Sequence, residues 1–518
     1  MKVVAVKNKP VLLVSDPTPR LTDIGKPCRG GVIIPHTVIA ENILRSEGVT
    51  NVPSVVDRYS WPGAFEPFTH QIEMVKFRMI HRRLWDLSGM RTGKTPASVW
   101  GLDLLMRQNL VSRVLILSPL SVVRDAWMKT LGLLIPYRDF TEATGATKTA
   151  GAALRSGAEI VVANHDKVKF NYEDILAFKP DLVIVDESTT FKGWSSDRYK
   201  ALRSIVTKTK CRFWALTATP ASQKATDPWA IARLVNRQSV PFKYTDFRND
   251  VMVQVGDPDK NIWVNRQGWE KKVRQALQPA VRFRTQDCID MPAVVEIMRF
   301  CQMGTKQTRY YNKMKRHGTF YLDGSDITAK TAATKINKLR QVSSGMAYDK
   351  KAETVVVDAS SKLAELTQII DESDGKVLVF TPFRNVMQYL HDALTGKGYS
   401  AAVLDRAHSL DKRTRTFNAF QEDGDPQVLV MHPQIAKYGL TLTAAHTTVW
   451  WGPVYSVETF SQANMRMMGP QHENKSKCSV IMLYSTPEEE KIYRGLLAQD
   501  DMSLVVIDSF KSAAGIRS

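Results

Sequence analysis

Cysteine is scarce in this chain: five in 518 residues, at positions 28, 211, 288, 301 and 478. No two are close enough for a Cys-x-x-Cys pair, so neither a zinc site nor a disulfide framework is indicated. Long apolar runs are missing as well. The N-terminal Met1-Lys2-Val3-Val4 is not followed by an apolar segment with a cleavage site. These absences argue against a membrane span and a secretory leader, and a reducing cytoplasm is the expected compartment. Acidic residues are in deficit. Lys plus Arg number 71 against 52 for Asp plus Glu, a balance of +19. That excess favours a polyanionic partner, nucleic acid first, and says nothing about DNA versus RNA. With 43% hydrophobic and 24% charged residues, the composition is that of a globular protein of two or three domains.

What is present is organised around Ser88-Gly89-Met90-Arg91-Thr92-Gly93-Lys94-Thr95. A short apolar run (Leu84, Trp85, Leu87) precedes it and a helix-like run, 97–105, follows. Strand, glycine-bearing turn and helix are the setting of a phosphate loop, because the turn and helix start aim backbone N–H groups at one point. Lys94 would reach the outer phosphates of ATP and Thr95 would hold Mg²⁺. Gly89, Met90, Arg91, Thr92 and Gly93 would form the cradle. A helix is predicted over 69–81. Gln71, near its start, either reads adenine through its amide or simply opens the helix.

Four short apolar runs follow, at 114–117, 159–163, 182–185 and 213–216, separated by helical stretches. Runs of this kind suit strands buried on both faces of a parallel sheet. Ligands bind beyond the carboxyl ends of such strands. Ser118-Pro119, Asn164-His165, Asp186-Glu187 and Thr217-Ala218-Thr219-Pro220 stand at those ends. Asp186 can position Mg²⁺, and Glu187 can orient or deprotonate the attacking water. An acidic pair after a strand also suits an ordinary helix start; the phosphate loop upstream favours the catalytic reading. Residues 1–60 show a predicted hairpin, 3–6 and 11–14, with a third strand at 31–35. A second series of apolar runs lies at 377–380, 401–404, 428–431, 448–451 and 480–483, without a phosphate loop. Between the two series, Lys306, Arg309, Lys313, Lys315 and Arg316 cluster with Tyr310 and Tyr311, which suits a nucleic-acid track or a solvated helix face.

These motifs, in this order, resemble the Swi/Snf-type ATPases of helicase superfamily 2 over about residues 61–500. The stretch 114–123, with Trp127 behind it, resembles motif Ia. Asp186-Glu187-Ser188-Thr189-Thr190-Phe191-Lys192 resembles motif II, Leu216-Thr217-Ala218-Thr219-Pro220 motif III, and Pro228-Trp229 the step after it. Residues 376–381 resemble motif IV, Lys412-Arg413 ahead of Phe420 the helix that follows, and 437–445 motif V. Gln462-Ala463-Asn464-Met465-Arg466 opens motif VI. The Trp61-Pro62-Gly63 lead-in and compact size look like members encoded by tailed phages.

The resemblance implies an α/β fold: two RecA-like parallel-sheet lobes, a helical insertion and a small strand-rich N-terminal region. The expected partition is 1–60, lobe 1 at 61–240, insertion at 241–360, lobe 2 at 361–500, and a tail, 501–518. The implied activity is an ATP-dependent DNA helicase or double-stranded DNA translocase, with ATP held in the cleft of two lobes. Gly439, Gln462 and Arg466 would act from lobe 2, and Thr217 and Thr219 would couple the lobes. Ser118, Pro119, Asn164, Thr381, Arg413 and Thr443 would grip the DNA backbone without reading sequence. Replication or recombination proteins are expected partners, in the host cytoplasm if the chain is phage-encoded. Two departures stand out. Arg91 occupies a position where the family has glycine. After Arg466 the motif is one residue short and lacks its second arginine, with Met468 roughly in that place. A nucleotide-regulated DNA clamp with poor turnover, or an RNA helicase, is the alternative.

Overall fold

The computed structural model describes residues 2–498, apart from 7–8, 50, 222–223, 256–262, 289–293, 323–324, 330–331, 350–352, 406, 423, 437–441 and 469–477. The chain divides into two compact units, 1–288 and 289–518. No described helix is long and apolar enough to cross a membrane.

The first unit opens with a small antiparallel sheet of β1 (Lys2–Val6), β2 (Lys9–Val14), β3 (Lys26–Cys28) and β4 (Gly31–Pro35), in the order β1-β2-β4-β3. Alternate residues Leu12, Val14, Val32 and Ile34 turn inward onto Ala40 and Leu44 of the helix Val38–Ser46. The hairpin and third strand are those the alternation predicts. The helix was not foreseen, although Thr37 caps it by accepting from the Ala40 N–H.

The large sheet of this unit contains β5 (Arg83–Asp86), β6 (Val114–Ser118), β7 (Phe140–Ala143), β8 (Ile160–Asn164), β9 (Leu182–Val185) and β10 (Arg212–Leu216). A separate pair, β11 (Met252–Gln254) and β12 (Trp263–Asn265), precedes β13 (Ala280–Val281), which returns to the large sheet. Its order is β13-β5-β10-β9-β6-β8-β7, and every pairing is parallel. The central strands β6, β9 and β10 are buried along their whole length, as continuous apolar runs require. The edge strands β7 and β13 carry no such run and were not predicted.

The second unit begins its sheet with β14 (Val294–Phe300). Two hairpins follow, β15 (Thr319–Leu322) with β16 (Ser325–Thr328) and β17 (Met346–Tyr348) with β18 (Thr354–Val356). They pack with the helix Thr305–His317 around Tyr311, Met314, Phe320 and Ile327. The sheet then takes β19 (Lys376–Phe380), β20 (Ala401–Leu404), β21 (Val428–Met431), β22 (Ala445–Trp450) and β23 (Cys478–Tyr484), in the order β14-β23-β22-β19-β21-β20. The two RecA-like lobes of the expected fold class are thus present. The stretch 241–360 is less purely helical than its patterning suggested: β13 extends the first sheet and β14 the second. Both are edge strands; β13 is two residues long and β14 has no buried residue, so neither bears the apolar signature of a central strand.

Candidate active site at the carboxyl edge of the first sheet

Parallel register brings the motifs together. Asp86 pairs with Leu216 across β5 and β10, and Ala215 with Val185 across β10 and β9. The phosphate loop, Thr217 and Asp186 therefore leave the sheet side by side. On the other flank Val185 pairs with Leu117, and Ser118 with Asn164, so these candidates share the same edge.

The loop runs from β5 into the helix Lys94–Arg107. Gly93 opens that helix with φ 76°, and a Cβ there would fall 1.9 Å from Gln71 Nε2, so only glycine fits. Lys94 Nζ donates to the carbonyls of Ser88 and Gly89, each at 2.8 Å, and the loop wraps around its charge. Thr92 Oγ1 donates to the Gly89 carbonyl at 2.9 Å. Arg91 has φ 62°, a left-handed conformation that costs a side-chain-bearing residue about 1–2 kcal/mol. Burial pushes its guanidinium down to about 10, which leaves it cationic at neutral pH. Gln71 is buried; its Oε1 accepts from the Phe68 N–H at 2.9 Å and its Nε2 donates to the Thr92 carbonyl at 3.5 Å. The amide thus braces helix start against loop.

A buried ion pair lies under the loop. Arg78 Nη2 donates to Asp86 Oδ2 at 2.6 Å and to Ser98 Oγ at 3.1 Å. Asp86 Oδ1 accepts from the Ser88 N–H at 3.0 Å, and Ser98 Oγ donates to the Lys94 carbonyl at 2.7 Å. Helix, strand, loop and following helix are locked through these two charges. Beside the loop runs the segment 279–285. The N–H groups of Trp85, Leu87 and Gly89 donate to the carbonyls of Pro279, Val281 and Phe283 at 2.9, 2.8 and 2.8 Å. Thr285 Oγ1 donates to the Met90 carbonyl at 2.7 Å, and a Cβ on Gly89 would stand 2.4 Å from that oxygen.

Asp186 Oδ2 accepts from the Trp127 indole N–H at 3.0 Å, and Oδ1 from the Glu187 N–H at 3.0 Å. Burial pushes this carboxyl up; the indole, the Lys94 charge and the Glu187 N–H pull it back down. Parallel register sets the loop lysine and this carboxylate at neighbouring strand ends, and the Lys94 charge favours the ionised form of Asp186. Glu187 itself holds φ 48°, a strained position at the start of the 3₁₀ turn Ser188–Phe191. His165 Nε2 lies 2.8 Å from the Asp186 carbonyl; the carbonyl only accepts, so Nε2 carries the proton. Burial lowers this imidazole to about 4, which keeps it neutral. The Thr95 hydroxyl makes no hydrogen bond among the described residues. Together with the Asp186 carboxylate it offers the oxygen donors a hard divalent cation prefers, so the residues present fit Mg²⁺.

Comparison with known proteins decides the family. The SNF2-related domain matches residues 70–349, and the helicase conserved C-terminal domain matches 361–468. The chain belongs to the SNF2-related family. Protein p41 of Acyrthosiphon pisum secondary endosymbiont phage 1 is 25% identical over 431 residues, covering 79% of this chain and 89% of its own. CHROMATIN REMODELING 24 of Arabidopsis thaliana is 23% identical over 88% of this chain and 48% of its own. The ATP-dependent helicase MG018 of Mycoplasma genitalium is 22% identical over 72% and 36%. The chain therefore spans most of the phage protein and less than half of the two others. The SWI2/SNF2 ATPase core of Sulfolobus solfataricus, solved in complex with double-stranded DNA, aligns over 87% of this chain at 18% identity with a TM-score of 0.41.

The remaining candidates of this SNF2-related chain are placed as follows. Thr217 is buried; its N–H donates to the Asp86 carbonyl at 3.0 Å and its Oγ1 accepts from the Thr219 N–H at 3.2 Å, which ties motif III to the loop strand. Ser118 is buried with Oγ 3.4 Å from the Pro119 carbonyl, and Asn164 and Pro119 are half-buried. In the second lobe Thr381 is buried and accepts from the Phe383 N–H at 3.4 Å. Thr443 accepts from Gln421 Nε2 at 3.2 Å, and Arg413 is half-buried on the helix Leu410–Gln421. Gln462 is buried on the helix Val457–Asn464, 3.4 Å from Glu458, and Arg466 Nε donates to the Ala436 carbonyl. Met468 packs in the apolar core with Trp450, Phe460 and Met482. Gly439 and the stretch after Met468 lie outside the described residues. Sequence reasoning missed Arg78, Asp86, His165 and Thr285. Asp86 was findable: a lone acid inside the apolar run 84–87 must be buried, and a buried charge needs a partner. His165 stood at a strand end without an assigned role, and nothing in the sequence marked Arg78 or Thr285.

Proposed function

We propose that this chain hydrolyses ATP to ADP and phosphate and uses the cycle to move along or remodel double-stranded DNA. The observation that carries the ATPase reading is the parallel register that brings the ends of β5 and β9, and with them the phosphate loop and Asp186, to one edge of the first sheet. The backbone N–H groups of the loop receive the polyphosphate, and Lys94 leaves its loop carbonyls to neutralise the outer phosphates. Mg²⁺, held through Thr95 and Asp186, would offset the charge that develops on the phosphates. Glu187 orients the attacking water and takes its proton. Arg466 and Gln462 are the second-lobe candidates for stabilising charge on the transferred phosphoryl group. The +19 balance and the helicase relatives support a DNA track, gripped through its backbone by the candidates at the strand ends.

Two variants test this. Lys94→Ala weakens ATP binding itself. Glu187→Gln still binds ATP but loses turnover by about 100-fold or more, because only the water-orienting group is gone. Both are read by nucleotide binding and single-turnover hydrolysis, with and without duplex. Native turnover in Glu187→Gln overturns the motif II assignment. Triplex displacement beside forked-duplex unwinding then separates translocation from strand separation.

A further inference from the structure

The helix Thr305–His317 carries chemistry that the ATP site does not use. Its buried face is Gln307, Tyr311 and Met314. At about 100° per residue, these point within an arc of roughly 60°. Lys306, Arg309, Lys313 and Arg316 follow a spacing of three, four and three. They fall within an arc of about 80° on the opposite side. Lys306, Arg309 and Arg316 are exposed; Lys313 is half-exposed, its ammonium 5.6 Å from the Tyr310 ring centroid. None of the four forms an ion pair among the described residues. Lys315, off this stripe, is instead paired with Glu488 at 2.8 Å. Four unneutralised cations on one ridge repel one another unless a polyanion lies along it.

We propose that this ridge is a second, auxiliary contact for the phosphate backbone of duplex DNA, separate from the strand-end candidates of the two sheets. The stripe is about 15 Å long at 1.5 Å per residue. A duplex strand presents one phosphate per about 3.4 Å of axis, so up to about four phosphates of one strand pass along that length. Side chains of this length and charge read no sequence, so the ridge adds grip and salt sensitivity without specificity. The proposal rests on the DNA reading above, and its test separates the two.

The experiment measures affinity of the full chain for a fluorescent duplex across a salt series. It compares the native chain, the variant carrying K306Q, R309Q, K313Q and R316Q together, and Lys315→Gln as an off-stripe control. ATPase without DNA is measured on all three. The expected result for the fourfold variant is native basal ATPase, affinity about tenfold weaker or more, and a log–log salt slope shallower by roughly 2 to 3.5, at about 0.9 per phosphate contact. Lys315→Gln keeps the native slope. A fourfold variant with native slope and affinity overturns the ridge while leaving the DNA reading intact. A native chain that binds no duplex overturns both. Two half-variants, K306Q with R309Q and K313Q with R316Q, each lose part of the slope if the whole ridge is used; loss confined to one half restricts the contact to it.

Discussion

The two large sheets are built alike, with parallel strands, buried apolar centres and thin edges, yet their buried charges serve different ends. In the first, Arg78 and Asp86 meet at 2.6 Å, fully buried, and Asp86 continues directly into the phosphate loop by accepting from the Ser88 N–H. In the second, Lys362 and Glu489 meet at 3.4 Å, also buried. Glu489 accepts from Ser343 Oγ and the Ser485 N–H at 2.7 Å each, and Lys362 donates to the Trp451 carbonyl at 3.2 Å. Among the described residues that network joins helices to strand ends. The first network thus ends under a glycine-bearing loop whose backbone N–H groups can receive phosphate, and the second ends under strand ends.

The widest gap between the two should come from removing each acid. Asp86→Ala strands a guanidinium that cannot shed its proton, at a cost of about 3–5 kcal/mol. Glu489→Ala leaves an ammonium that can neutralise itself, so the loss is smaller. Denaturant unfolding of both variants checks the order, and nucleotide binding should fail only in Asp86→Ala. Equal losses would show that the first pair is not special to its loop.

Acid sharpens the contrast next. Burial holds the His165 imidazole, beside Asp186, at about 4 in the folded chain against about 6.5 for a free imidazole. The unfolded chain therefore binds a proton that the folded chain refuses. Stability is complete above about pH 6.5 and is lost as pH falls toward 4, by about 3 kcal/mol at 1.36 per unit. His165→Asn should flatten that dependence in urea unfolding followed from pH 7 to 4. An unchanged slope would assign the acid sensitivity elsewhere.

The smallest effect concerns the strap beside the loop. Thr285→Val keeps the shape but leaves the Met90 carbonyl without its hydroxyl donor, worth about 1 kcal/mol. A several-fold rise in KM for ATP is expected, with kcat moved less and Thr285→Ser restoring both. A native KM would make Thr285 a packing residue alone.

Much of this was legible because burial on two faces leaves a signature. The runs at β6, β8, β9 and β10, and their counterparts in the second sheet, stand within a residue or two of their predicted limits, apart from the Thr448–Trp451 run, which becomes the longer β22. Gly93, Lys94, Thr95 and Asp186 were expected at one sheet edge because phosphate and Mg²⁺ chemistry restricts residue type at fixed spacing, and the register sets their strand ends side by side. Edge strands such as β7 and β13 were not, since half of each faces away from the core.

The sequence by itself determined the lobes, the phosphate loop and the acidic pair, all of which depend on neighbours along the chain. Tertiary structure alone decided which distant groups complete them. Arg78 reaches Asp86 from the preceding helix, Trp127 finds Asp186 across 59 positions, and Thr285 returns to Met90 across 195. It also decided that Met468 packs into the apolar core of the second lobe, which no local pattern at the helix end foretold. Such pairings depend on strand order, and strand order is fixed by which crossovers bury the sheet rather than by any local run of residues.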